Sequence, residues 1–111
     1  MAKPPKPNRY ALFFAMLKTM DTCWLEEYKF HPTRRFRFDF ALPRLHLAIE
    51  VDGGIFTGGR HSRGLGQEAD FVKGHEAILL GWSVLHFSVR QVKSGYASQM
   101  VMRIMQQRNC P

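Results

Sequence analysis

The runs Arg35-Phe36-Arg37-Phe38-Asp39-Phe40 and Leu47-Ala48-Ile49-Glu50-Val51-Asp52 decide the fold. In a β-strand successive side chains point to opposite faces. The first run therefore puts its phenylalanines on one face and Arg35, Arg37 and Asp39 on the other. The second puts Leu47, Ile49 and Val51 on one face and Ala48, Glu50 and Asp52 opposite. Pro43-Arg44, between Leu42 and Leu45, marks the turn between them, and because Pro-Arg is not a favoured two-residue hairpin sequence a longer loop is the alternative. A hairpin closed there pairs residues whose numbers sum to about 87, which sets Asp39 opposite Ala48 and leaves Glu50 diagonal to it, roughly 7–8 Å away between backbones. Any odd sum keeps Asp39, Glu50 and Asp52 on a common face.

Three carboxylates on one half-buried face repel one another, and their pKa values rise unless a cation neutralises them. All-oxygen ligands suit magnesium or manganese, with metal–oxygen distances of roughly 2.1 Å and several retained waters. A competing reading uses no metal. In it Asp39 pairs with Arg35 or Arg37, and Glu50 and Asp52 leave the strand into solvent at Gly53-Gly54.

The totals narrow the class of partner. The 111 residues suffice for one domain with a real core, and a content of 45% hydrophobic and 23% charged residues excludes disorder. Sixteen Lys and Arg against nine Asp and Glu leave a net charge of +7 and a pI near 9.9, which points to a polyanionic partner, nucleic acid first. No apolar stretch approaches the roughly 20 residues that span a bilayer. The start, Met1-Ala2-Lys3-Pro4-Pro5-Lys6-Pro7, has no apolar signal core. Together these predict a chain that stays in the cytoplasm and off membranes. Cys23 and Cys110, without CxxC spacing, read as two reduced thiols. A zinc site drawn from Cys23, His31, His61 and Cys110 lacks paired ligand spacing.

Residues 1–7 form a flexible basic arm ahead of a single domain over 8–111. Asn8 caps a helix carrying Tyr10, Phe13, Phe14, Leu17 and Met20 at three- and four-residue steps. Residues 24–30 make a first strand, and the three strands form an antiparallel meander. Residues 53–66 hold six glycines with Arg60, His61 and Arg63, a loop suited to closing over a phosphate backbone. Residues 67–80 turn helical with Ala69, Val72, His75 or Glu76, and Leu79 recurring, until Gly81 stops them. Glu68 and Asp70 complement the dipole of that helix. Residues 82–87 make a buried strand, reached by a crossover long enough for a parallel neighbour. Ser88 and Gln91 form a capping-box pattern, and after Ser94-Gly95 a last helix carries Ala97, Met100, Val101, Ile104 and Met105. Its Met100, Met102 and Met105 serve either the core or a homodimer seam. The sum is an α/β sandwich around a mixed sheet of four to five strands.

Taken in order, Phe38-Asp39-Phe40, Ala48-Ile49-Glu50-Val51-Asp52-Gly53-Gly54, His61, a helix, and Gly81-Trp82-Ser83-Val84-Leu85-His86-Phe87 resemble the PD-(D/E)XK nuclease superfamily. Within it the chain is most similar to small restriction-endonuclease-like proteins of phages and bacteria related to very-short-patch-repair endonucleases. The resemblance implies a three-layer restriction-endonuclease-like sandwich. It also implies Mg2+- or Mn2+-dependent hydrolysis of DNA phosphodiester bonds in the cytoplasm of a bacterial or phage-infected cell.

Under that resemblance Asp39, Glu50 and the Val51 carbonyl hold the metal. Asp52 stands where the motif's lysine usually stands, and either binds a second metal or holds a water as base. Lys73, one helix later, is a migrated catalytic lysine or a solvated helix face. His61 assists proton transfer or contacts phosphate. Glu27 orients metal-bound water if its face allows. Arg34, Arg35, Arg37, Arg60 and Arg63 are the candidate phosphate clamps, each otherwise an ordinary surface charge. A chain this small reads little sequence, which favours structure-selective or weakly specific cutting: nicking, repair or Holliday-junction resolution. The alternative is a non-catalytic DNA-binding module of a larger complex.

Overall fold

The computed structural model describes residues 10–52 and 65–109. In chain order the elements are α1 (Ala11–Met20), β1 (Leu25–Lys29), β2 (Arg37–Leu42), β3 (Leu47–Asp52), α2 (Leu65–Leu79), β4 (Ser83–Ser88), α3 (Val89–Ser94) and α4 (Tyr96–Asn109). The open sheet has the order β1-β2-β3-β4. Its first three strands are antiparallel, and the crossover through α2 brings β4 in parallel to β3. Among the described residues no helix is long and apolar enough to cross a membrane.

Helices cover both faces of the sheet. On one face α1 buries Phe13 and Leu17, and α4 buries Ala97, Val101 and Met105, all against Trp24, Phe40, Leu42, Leu47, Ile49 and Phe87. Met105 is thus core, while Met102 is exposed. α1 starts later than an Asn8 cap implies, with Tyr10 at its N-cap. Ahead of α3 the capping box closes both ways. Ser88 Oγ accepts the Gln91 N–H at 3.1 Å, and Gln91 Oε1 accepts the Ser88 N–H at 3.0 Å.

The other face departs from simple alternation. Phe38 does not share a face with Phe40; it joins Phe30, Ala41, Ala48, Trp82 and Ala77 of α2 in a second cluster, with Phe36 packed beside it. β1 switches at the same level, since Trp24 lies in the first cluster and Tyr28 and Phe30 in the second. The main-chain ladder pairs Glu26 with Phe40 and Tyr28 with Phe38 but skips Glu27 and Asp39 between them. Glu27 has φ 51°, in the left-handed region that non-glycine residues seldom occupy. This kink reverses the inward face of the hairpin's outer half. Stacking of Phe30 on Phe38 at 3.9 Å and an edge contact of Phe38 with Trp82 at 5.1 Å hold the reversed half on the α2 side.

The turn between β2 and β3 is longer than Pro43-Arg44. Pro43–Leu45 forms a 3-10 turn, and His46 at φ 49° completes the reversal. A two-residue hairpin turn of the I′ type needs positive φ at both positions, which proline cannot adopt. The register moves accordingly: Phe40 faces Ile49 and Ala41 faces Ala48, so Asp39 comes opposite Glu50 and not Ala48.

α2 also sits differently from its apolar pattern. Val72 and Leu79 are exposed, Leu79 at 76%, whereas Ala77 is buried at 1%. Ala77 packs against the sheet and Lys73 reaches Glu50, because the facing strands offer carboxylate as well as hydrocarbon, whereas Asp70 and Gly74 stay exposed. His31 fastens this helix to the hairpin. Its Nδ1 accepts the N–H groups of Thr33 and Arg34, and its Nε2 bonds Glu76 at 2.6 Å.

The kink makes a direct prediction for urea unfolding. Glu27→Gly, which suits a left-handed residue, should leave stability unchanged or raise it by up to about 1 kcal/mol, and Glu27→Val should lower it by about 1–3 kcal/mol. Equal stability of the two variants would contradict a strained left-handed residue at this position.

Candidate functional site

Regular pairing between β2 and β3 runs from Leu42 and Leu47 to Phe40 and Ile49 and then stops. Main-chain N–H groups beyond that point still need acceptors. Side chains supply them: the Asp39 N–H donates to Glu50 Oε2 at 3.2 Å, and the Val51 N–H donates to Asp39 Oδ2 at 2.7 Å. Two carboxylates thus replace the backbone carbonyls as the strands part. Each is oriented by a bond to the other's strand.

Lys73 of α2 reaches the same point, its Nζ donating directly to Glu50 Oε1. The ammonium also lies 5.7 Å from the centre of the Phe38 ring, within cation–π range. The reversed Phe38 thereby becomes the floor beneath Lys73. The Glu50 and Lys73 side chains are only 16% and 23% exposed. Burial pushes the Glu50 carboxyl above the ordinary glutamate range, and the Asp39 charge adds to the rise. Lys73 and the Asp39 N–H pull it back without cancelling the effect.

These groups open onto a cavity of about 740 Å³ between the sheet and α2. Asp39, Glu50, Val51, Asp52 and Lys73 all line it. Asp52 is exposed at the end of β3. Gly74 lines the cavity as well, and a Cβ there would meet nothing within 4 Å, so the helix leaves this space open. Glu27 does not line the cavity; it is exposed on the far side of β2 from Glu50. Arg34, Arg35 and Arg37 are exposed on the outer half of the hairpin, with Lys29 directly opposite Arg37. Arg34 stacks over Phe36 at 4.8 Å. Residues 1–9, residues 53–64 of the predicted glycine-rich stretch with Arg60, His61 and Arg63, and residues 110–111 lie outside the described residues, while Leu65 and Gly66 open α2.

Three cavity residues escaped the sequence reading of the site: His86, His75 and Asp70. His86 is the parallel register partner of Glu50, and its ring shares the face of Val84, opposite Leu85 and Phe87. Alternation within β4 gives that face, but its nearness to Glu50 follows only once β4 is known to lie beside β3.

Among the described residues no group of three or more His, Cys, Asp or Glu is placed to hold a metal ion. Cys23 is exposed and His31 bonds Glu76, while His61 and Cys110, the other two residues of the zinc alternative, lie outside the described residues. The acid pair offers two side-chain carboxylates, and any further ligand there is main chain or water. Two half-buried carboxylates with oxygen donors, one of them carrying a pKa raised by burial and by its like-charged neighbour, fit a hydrated magnesium or manganese ion. No known protein family, curated protein or solved structure matches the chain.

The Glu50 shift has a defined sign. A carboxyl whose folded-state pKa is raised keeps its proton in the folded state at pH values where the unfolded chain has released its own. Stability therefore falls as pH rises from the ordinary value of 4.5 through the folded value. Glu50→Gln should be more stable than the parent chain at neutral pH, by roughly 0.5–2 kcal/mol, with the gap closing as pH drops toward that ordinary value. Thermal melts from pH 4 to 8 measure this, and a Glu50→Gln variant less stable at pH 7 would contradict it.

Proposed function

We propose that the chain is a divalent-cation-dependent DNA endonuclease of restriction-endonuclease-like architecture, acting with low sequence selectivity. The observation that carries the reading is the convergence of Asp39, Glu50 and Lys73 at the point where β2 and β3 part. The order of elements along the chain also supports it: a helix, three antiparallel strands, a crossover helix and a parallel strand. Asp52, where the motif's lysine usually stands, is the best support for a module that binds DNA without cutting it. An ammonium arriving from α2 weakens that alternative.

In this mechanism Asp39 and Glu50 would hold the cation with the Val51 carbonyl. When bound, a cation of this kind neutralises charge on the scissile phosphate and lowers the pKa of attacking water. The two carboxylates are fixed by main-chain N–H bonds, so little reorganisation is needed as charge develops. Lys73 offers a positive group to a phosphate oxygen or the attacking water. Asp52, at the open end of β3, can orient a water by accepting its hydrogen bond. Arg34, Arg35 and Arg37 provide backbone contacts that position the duplex without reading its sequence.

Supercoiled plasmid incubated with Mg2+ or Mn2+ should be nicked. Asp39→Ala and Glu50→Ala should each slow nicking at least a hundredfold, about 2.7 kcal/mol of transition-state stabilisation or more. Nicking at full rate by either variant, or in excess chelator, would overturn the reading, and so would metal-independent DNA binding with no cleavage. Replacing Arg34, Arg35 and Arg37 by alanine should flatten the dependence of log affinity on log salt by roughly 0.9 for each phosphate that is no longer neutralised. An unchanged slope would remove the hairpin from the DNA interface.

A further inference from the structure

We infer that Lys73 is an exchangeable counter-ion: it holds the Glu50 charge until a divalent cation takes its place, and the displaced ammonium is then free for the phosphate. The inference rests on the nuclease reading above and concerns the order in which its positive charges are used.

The four carboxylate oxygens are unequally engaged. Asp39 Oδ2 accepts the Val51 N–H and Glu50 Oε2 accepts the Asp39 N–H, both bonds that lock the strands together. Glu50 Oε1 accepts Lys73. Asp39 Oδ1 is the one oxygen of the pair with no hydrogen bond among the described residues. A cation shared between the two carboxylates requires an oxygen from each. The oxygen of Asp39 with both lone pairs open is Oδ1, and the oxygen of Glu50 not tied to main chain is the one Lys73 occupies, so these two are the ones a cation can take without loosening the strands. Two positive groups crowded on one half-buried oxygen repel each other strongly, so a cation arriving there expels the ammonium.

The surroundings provide for the displaced group. Its helix faces the cavity, the Phe38 ring lies beneath it, and Asp52 and Asp70 line the same space. Open space adjoins Lys73 on α2, since a Cβ at Gly74 would meet nothing within 4 Å. Lysine's flexible stem and single compact charge suit such a transfer, which a forked guanidinium would resist.

Because Lys73 competes for Glu50, removing its charge should strengthen cation binding even as it impairs catalysis. Titration calorimetry with Mn2+ on the full chain tests this, with Lys73→Met and Lys73→Gln beside the parent and Asp39→Ala. Both Lys73 variants should bind Mn2+ about tenfold more tightly than the parent or better, and Asp39→Ala should abolish binding. Detectable binding by a Lys73 variant but not by the parent supports the exchange equally. If Asp39→Ala abolishes binding while both Lys73 variants bind no more tightly than the parent, the exchange is overturned and the metal site stands. If no protein binds Mn2+, or binding survives Asp39→Ala, both readings fall. Circular dichroism melts identify any variant that fails to fold, and the two Lys73 substitutions serve as mutual controls.

Discussion

Buried main-chain N–H groups have to find acceptors, and that requirement organises the cavity side of this molecule. Where β2 and β3 diverge beyond Phe40 and Ile49, the next carbonyls move out of reach. The donors of Asp39 and Val51 turn instead to the carboxylates of Glu50 and Asp39. The acids are therefore part of the sheet's own hydrogen bonding. Their position is set by rigid strands, which gives a precision that loop-borne ligands lack.

That arrangement carries costs, and they gather in one place. Glu50 sits half-buried beside a like charge with its pKa driven upward. β1 takes a left-handed residue at Glu27, directly across from Asp39. α2 leaves Ile78 and Leu79 in solvent while turning Lys73 inward. Each departure opposes stability, and all lie within one strand or one helix turn of the cavity. Clustered local violations of this sort are expected where a site is built at the expense of the fold.

Much of this was legible in the residues. Element order, the faces of β3, the parallel return of β4, the Ser88–Gln91 cap and the buried stripe of α4 all follow from periodicity and capping chemistry. What escaped did so for physical reasons. The run Arg35 to Phe40 alternates so regularly that nothing in it marks a reversal, and a glutamate at Glu27 gives no hint of positive φ. The α2 stripe follows hydrophobicity, yet the surface it meets is partly carboxylate, so Lys73 and Ala77 face inward and Val72 and Leu79 do not. The turn after β2 followed proline's fixed φ into a longer loop and moved Glu50 from a diagonal position to one directly facing Asp39. His86 entered the site only through its neighbouring strand, a relation that no single run of residues encodes.

The nuclease reading adds a strongly basic chain to a site that places two acids and one ammonium at a break in the sheet. Its central claim is that Asp39 and Glu50 clasp one cation. The most direct measurement is anomalous diffraction from crystals soaked in manganese. The expected result is a peak about 2.1 Å from a carboxylate oxygen of Asp39 and from one of Glu50. A peak elsewhere in an otherwise saturated crystal, or the two carboxylates found on opposite sides of the sheet, would contradict it.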